Sequence, residues 1–235
     1  MKIGIFADSH YCNCEVRCNT RRPSLSLGKI HEAMEAFYRE KVDCVICMGD
    51  LTDTEDNHED ELNRLREIKR VIFSYDVPFY LVPGNHDYSS FSGDELKNEL
   101  GISLPPYSLS KEDKKWILLD ANFRSSMIRY DVAGTEWTDS NLPPEQVEFL
   151  KKELETADKE CVIFIHENLD NQVQINHIVK NADKIRAILE NSKKVHLVLQ
   201  GHYHPGAEHI INGIRYRTFP AMCEGEKNSY FILTI

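Results

Sequence analysis

Val77-Pro78-Phe79-Tyr80-Leu81-Val82-Pro83-Gly84-Asn85-His86-Asp87 joins an apolar run to an abrupt polar ending. Residues 77–82 read as a buried strand. Pro83 ends it and Gly84 permits a sharp turn. Asn85, His86 and Asp87 then follow in succession, each able to bind a metal or move a proton. Open α/β sheets carry their chemistry at the carboxyl ends of strands. This stretch therefore predicts an α/β fold with a site at the end of its strand, and partners should arrive from other strand ends.

Working outward, four further apolar runs end the same way. Residues 42–48 lead into Gly49-Asp50-Leu51-Thr52-Asp53, and residues 3–7 into Asp8-Ser9-His10. If Asp8 and His10 lie two apart on an extended strand, they share a side and can grip one ion. Downstream, 161–165 lead into His166, and 195–199 into Gly201-His202-Tyr203-His204. Runs at 116–120 and 231–235 add strands. Apolar residues at helical spacing predict helices over about 26–40, 57–75, 90–100 and 144–157, and within 175–191. Asn212-Gly213 predicts a tight hairpin. Residues 121–142 are irregular. The early strands are helix-connected and the late ones hairpin-connected, which predicts two sheets packed face to face with helices outside. There is no linker or repeat, so 1–235 is expected to be a single domain.

Composition narrows the function. A chain of 235 residues with 41% hydrophobic content can bury a sizeable core. Its formal net charge of −10 argues against a nucleic-acid groove. An acidic protein that handles phosphates needs a local positive centre, and bound metal supplies one. Asp8 interrupts any apolar targeting core, and no run approaches the length of a membrane span. Seven cysteines, an odd number, read as reduced thiols. A cytoplasmic protein without membrane contact is expected.

Imidazole and carboxylate together suit Mn, Fe or Zn, whereas Ca and Mg prefer oxygen-only sites. The ligands at five strand ends are too many for one tetrahedral ion. They fit two ions sharing a bridging carboxylate. Such a pair, about 3.5–4 Å apart, clamps in-line displacement at phosphorus and lowers the pKa of a water between the ions.

Asp8-Ser9-His10, Gly49-Asp50, Gly84-Asn85-His86-Asp87, His166 and Gly201-His202-Tyr203-His204, in that order, resemble the calcineurin-like metallophosphoesterase superfamily. The blocks span residues 8 to 204. The resemblance implies a four-layer α/β/β/α sandwich of two mixed sheets flanked by helices, and a metal-dependent phosphohydrolase. It implies that Asp8, His10, Asp50 and His204 hold the first metal. Asp50 then bridges to a second, completed by Asn85, His166 and His202. His86 would contact the phosphate and protonate the leaving oxygen, with Asp87 orienting its ring. The ions implied are two divalent transition metals, Mn or Fe before Zn.

Within the superfamily, Arg21-Arg22-Pro23-Ser24-Leu25, the run from Asn85 to Ser92, the stretch 142–150 and the tail 221–235 are most similar to the Mn-dependent ADP-ribose/CDP-alcohol diphosphatase-like branch. That similarity implies a phosphodiester or diphosphate of a small nucleotide-like substrate, attacked by a metal-bridging hydroxide. The alternatives are a phosphomonoesterase or protein phosphatase of the same family, or a phosphoesterase-fold interaction module that has lost catalysis. His86 and all seven ligands are present, which weighs against the last.

Other features divide between site and scaffold. Arg17, Arg21 and Arg22 are either a solvated loop or a clamp for a second phosphate, since guanidinium meets phosphate oxygens bidentately. Phe123, Arg124, Arg129, Tyr130 and Trp137 either wall the site and stack a base or sugar, or pack beneath a long loop. His177 follows His166 closely enough to overhang the site; His31, His58, His196 and His209 are expected to be ordinary. Cys44 and Cys47 should face opposite sides of a strand, and Cys12, Cys14 and Cys18 lack a partner that would complete a zinc site. His166-Glu167-Asn168-Leu169-Asp170 lacks the second histidine of a zinc-protease helix. The acidic run 53–61 lacks the glycine of a calcium loop and reads as a solvated helix start.

Overall fold

The computed structural model of the chain describes residues 1–54, 57–131 and 136–235. Positions 55 and 56 of the acidic run, and 132–135 of the irregular segment, lie outside the described residues. In chain order the elements are β1 (Lys2–Phe6), α1 (Ser26–Arg39), β2 (Cys44–Cys47), α2 (His58–Ile72), β3 (Phe79–Leu81), α3 (Asn85–Ser90), α4 (Gly93–Leu100), β4 (Tyr107–Lys111) and β5 (Lys114–Leu118). They continue with α5 (Pro144–Thr156), β6 (Glu160–Phe164), α6 (Ala182–Ser192), β7 (Val195–Gln200), β8 (Ala207–Ile211), β9 (Ile214–Thr218) and β10 (Phe231–Thr234).

Two mixed sheets result. One has the order β10-β1-β2-β3 and the other β4-β5-β6-β7-β9-β8. Strands β1, β2 and β3 run parallel, as do β5, β6, β7 and β9; antiparallel strands β10, β4 and β8 lie at the other edges, and β3 is a parallel edge. Side-chain alternation sets the layers. Ile3, Ile5 and Ala7 face the other sheet and pack with Trp116, Leu118, Val162, Phe164 and Phe219. Phe6 turns outward to Ile30, Met34 and Phe37 of α1. Leu150 and Leu154 of α5, with Ile185 and Leu189 of α6, cover the far face of the larger sheet. This is the four-layer α/β/β/α sandwich. Cys44 packs between the sheets and Cys47 under the helices, on opposite faces of β2.

Several boundaries moved. The strand before Pro83 is only Phe79–Leu81, and Asn85–Ser90 coils into a short helix. The strand expected at 116–120 lies at Lys114–Leu118 and pairs with β4, which the apolar pattern missed. Strand β4 is an edge strand with Ser108, Ser110 and Lys111 in a run of five, so it carries little hydrophobic signal. The helix expected within 175–191 is a 3₁₀ turn at Ile175–His177 followed by α6. Asn212 and Gly213, both at positive φ (49° and 85°), turn the β8–β9 hairpin.

Strand β1 lies against α1 because Gly4 has no side chain. A Cβ there would stand 2.6 Å from the Phe37 ring. Gly4→Ala should therefore destabilise the protein by about 1–3 kcal/mol, the usual cost of overpacking a filled core. A urea midpoint equal to that of the parent would show that α1 yields without cost.

Candidate active site

The site forms where the parallel strands end. Asp8 and His10 follow β1, Asp50 follows β2 and Asn85 follows β3; His166 follows β6, and His202 and His204 follow β7. These ends do not stay extended. Asp8 (φ 52°), His10 (44°), Asp50 (54°) and His202 (68°) all sit in the left-handed region. Asp and His tolerate that region better than most residues, and such strain collects at functional sites. The expectation that Asp8 and His10 share a side of an extended strand is therefore corrected. Strand β1 stops at Phe6, and two left-handed residues, rather than strand alternation, bring the pair together.

Seven side chains converge. His10 Nε2 lies 3.2 Å from His204 Nε2, and Asp8 Oδ1 is 3.7 Å from the latter and 3.9 Å from the former. Asp50 Oδ2 stands 3.4 Å from His10 Nε2 on one side and 3.4 Å from His166 Nε2 on the other. Asp50, His166 and His202 form one group close enough to share an ion, and His10, His204 and Cys223 another. A Cβ at Gly84 would run into Asp50 Oδ1 and stand 2.6 Å from His166 Nε2, so glycine is needed there.

The donor set fits metal. Asn85 Oδ1, His166 Nε2 and His202 Nε2 are buried, yet have no hydrogen-bond partner among the described residues. Buried polar atoms are rarely left so. Two nitrogens facing each other at 3.2 Å match neighbouring corners around one ion, since ligands at 2.0–2.1 Å subtending a right angle are about 3 Å apart. Asp8 and Asp50 are the carboxylates of the set, and burial raises the Asp8 carboxyl above its ordinary range. Burial alone would raise Asp50, but His166 and His86 outweigh it and hold the carboxyl well below its ordinary range. Glu167 is also buried, and burial pushes its carboxyl up to about 8.

The role expected of Asp87 is corrected. Its carboxylate accepts backbone N–H bonds from Asp50, Leu51 and Gly84, each at 2.9 Å. It ties the β3 turn to the end of β2. The carboxylate beside His86 is Asp53, whose Oδ1 lies 3.0 Å from Nδ1 of the ring. Burial alone would raise Asp53, but His86, His10 and Arg17 hold it far below the usual carboxylate range. Its position three residues after Asp50 was a visible signal, obscured by the acidic run that follows.

Two further groups orient the ligands. The Met48 carbonyl meets Nδ1 of His166. Glu224 Oε1 is 2.7 Å from Nδ1 of His204, and nothing in the local sequence around Glu224 announces this. Buried Lys29 donates to the carbonyls of Met222 and Gly225, fixing the segment that carries Glu224. Partners of this kind set tautomer and ring direction. Glu224→Ala should weaken metal binding about 10–100-fold, read by titrating metal-free protein with Mn²⁺. Unchanged affinity would leave Glu224 with a packing role alone.

The arginine loop reaches the site but is occupied there. Arg17 pairs with Asp53 at 2.9 Å, and Arg21 approaches Asp53 and Glu224 at 3.8 and 4.0 Å. Arg22 instead donates to the Asn19 and Arg21 carbonyls of its own loop. Of the predicted wall, Arg129 stacks on Tyr88 and Phe123 and pairs with Asp120. Arg124 pairs with Asp131, and Tyr130 donates to the Glu136 carbonyl. Trp137 does reach the site: its ring lies 5.6 Å from His202 and 5.1 Å from His177. The His177 ring lies 5.1 Å from that of His202. His58 and His196 form ion pairs, His209 pairs with Asp170 and His31 packs on Tyr75.

The chain is 29% identical over 182 residues to a probable glycerophosphodiester phosphodiesterase of Arcobacter nitrofigilis, covering 75% of this chain and 62% of the relative. It is 24% identical over 190 residues to a 3′,5′-cyclic-nucleotide phosphodiesterase of Nostoc, covering 79% and 64%. The chain thus spans somewhat under two thirds of the length of these relatives. A dimetal phosphatase from Danio rerio shares the fold, with a TM-score of 0.82 at 17% identity over 98% of this chain and 91% of that one. No helix among the described residues is long and apolar enough to cross a membrane. The family model for calcineurin-like phosphoesterases matches residues 1–206, and the chain belongs to that family.

Proposed function

We propose that the chain is a phosphodiesterase that holds two divalent metal ions, Mn or Fe, and hydrolyses a phosphodiester or diphosphate of a small nucleotide-like molecule. The observation that carries this reading is the single oxygen Asp50 Oδ2, 3.4 Å from a histidine nitrogen on either side. When bound, the two ions supply Lewis acidity toward phosphoryl oxygens and a water acidic enough to attack phosphorus near neutral pH. Asp8, His10, Asp50 and His204 hold one ion; Asp50, Asn85, His166 and His202 hold the other. His86, with Nδ1 against Asp53, presents its other nitrogen to the phosphate and gives the leaving oxygen its proton. Asp50 Oδ1 accepts the His86 backbone N–H at 2.8 Å, so the acid and the bridging ligand are placed together. The likeness to relatives named as phosphodiesterases supports a diester substrate. The arginine loop before α1 supports the ADP-ribose/CDP-alcohol diphosphatase-like branch. Strand β10, paired with β1, ties 231–234 into the same unit, so the proposed phosphoesterase domain is 1–235.

The test is hydrolysis by Mn²⁺-loaded protein of bis-p-nitrophenyl phosphate, ADP-ribose, a cyclic nucleotide, p-nitrophenyl phosphate and a phosphopeptide. Diesters or the diphosphate should be preferred, and EDTA should remove the activity. Faster hydrolysis of the monoesters would move the assignment to a phosphatase. Metal bound without hydrolysis of any of them would make the chain a binding module.

A further inference from the structure

Three rings beside the metal ligands hold no metal. Trp137 precedes α5, His177 lies in the 3₁₀ turn after β6, and Tyr203 follows β7. The centroids of Trp137 and Tyr203 each lie 5.1 Å from that of His177, and both Trp137 and His177 lie within 6 Å of His202. Three separate segments thus build one aromatic group against one ligand histidine. The group is not a core. Trp137 is 37% exposed, and His177 and Tyr203 are half-buried. Aromatic surface left partly open at a polar site marks a place where a ligand binds. The group also lies on the flank of His202, whereas the acid His86 packs against His10, 4.5 Å away.

We infer that Trp137, His177 and Tyr203 form a stacking platform for a planar ring carried by the substrate, a nucleobase or an aryl ester group. The inference rests on the proposed phosphodiesterase reading and adds a preference. Diesters bearing a nucleobase are favoured over aliphatic diesters of the glycerol type. Stacking draws on the π-face that every base has, so the platform selects for a ring rather than for one particular base. Proton delivery and ring recognition fall to different flanks of the metal pair.

Fluorescence tests binding without turnover. The chain has two tryptophans, and Trp116 is sealed between the sheets at 1% exposure. Titrating AMP into the Mn²⁺-loaded protein should quench Trp137 emission, and glycerol 3-phosphate should not. The quench should vanish in Trp137→Phe and persist in Trp116→Phe. In kinetics, Trp137→Ala or His177→Ala should lower the ratio of kcat/KM for cyclic AMP to that for glycerophosphoethanolamine by roughly 10–100-fold. Trp137→Phe, which keeps a ring, should restore most of that ratio. No quenching by AMP, or an unchanged ratio in the alanine variants, overturns the platform. Quenching by AMP in a protein that hydrolyses neither diester would sink the phosphodiesterase reading and leave the platform standing.

Discussion

Asp50→Asn should all but abolish hydrolysis and loosen both metal ions. Asp50 Oδ2 faces a histidine of each ligand group at 3.4 Å on both sides, closer than Asp8 Oδ1, which lies 3.9 Å from His10 Nε2 and 4.0 Å from His166 Nε2. Asparagine keeps the shape, and its Oδ1 still accepts the His86 backbone N–H, so the turn should survive. What it loses is the charge that lets two dications sit side by side. A metal contributes several kcal/mol of transition-state stabilisation, so turnover should fall by about 10³-fold or more. Elemental analysis of the purified variant should find fewer than two ions per chain, with circular dichroism unchanged. Two ions retained at parental affinity would refute the bridging role of Asp50.

His86→Ala separates chemistry from metal binding. The histidine lies close enough to His10 and Asp50 to share an ion with them, and it stands in front of Asp53. Its loss should leave the metal content intact and slow turnover about 10²–10⁴-fold, the range for a general acid. Asp53→Asn should slow the enzyme less, and should add little in the His86→Ala background, because residues acting through one another are not additive. Asp87→Asn should behave differently. Asp87 holds three backbone N–H groups, so its loss should lower the unfolding midpoint. If Asp53→Asn and His86→Ala multiplied independently, Asp53 would not be acting through the His86 ring.

The failed assignment of Asp87 shows where local reading stops. His86 and Asp87 are adjacent, and the family resemblance implies that Asp87 orients the His86 ring. Asn85–Ser90 is a helix, however, and successive side chains on a helix diverge by about 100°. Asp87 therefore turns back to the strand ends while His86 turns outward. The partner of His86 comes from 33 positions upstream, and that of His204 from 20 positions downstream. The arginine loop shows the same limit. Its charges were legible, but not that Asp53 occupies Arg17. Strand β4 escaped because an edge strand with one half-covered face needs no apolar run.

By itself the sequence determined the layers and the residues of the site. Apolar runs at strand and helix period carry the α/β/β/α order, because each buried face must be built from its own stretch of chain. Each run ends in a turn that carries candidate ligands, so Asp8, His10, Asp50, Asn85, His166, His202 and His204 are legible as candidates in that order, and the family resemblance supplies the roles proposed for them. Only the tertiary structure decided who faces whom: Asp53 behind His86, Glu224 behind His204, and Trp137 and His177 beside His202. The reason is geometric. Left-handed residues at Asp8, His10, Asp50 and His202 re-aim the side chains after the strands end. Hydrogen bonds, ion pairs and ring contacts then depend on directions in space, which residue spacing along the chain does not carry.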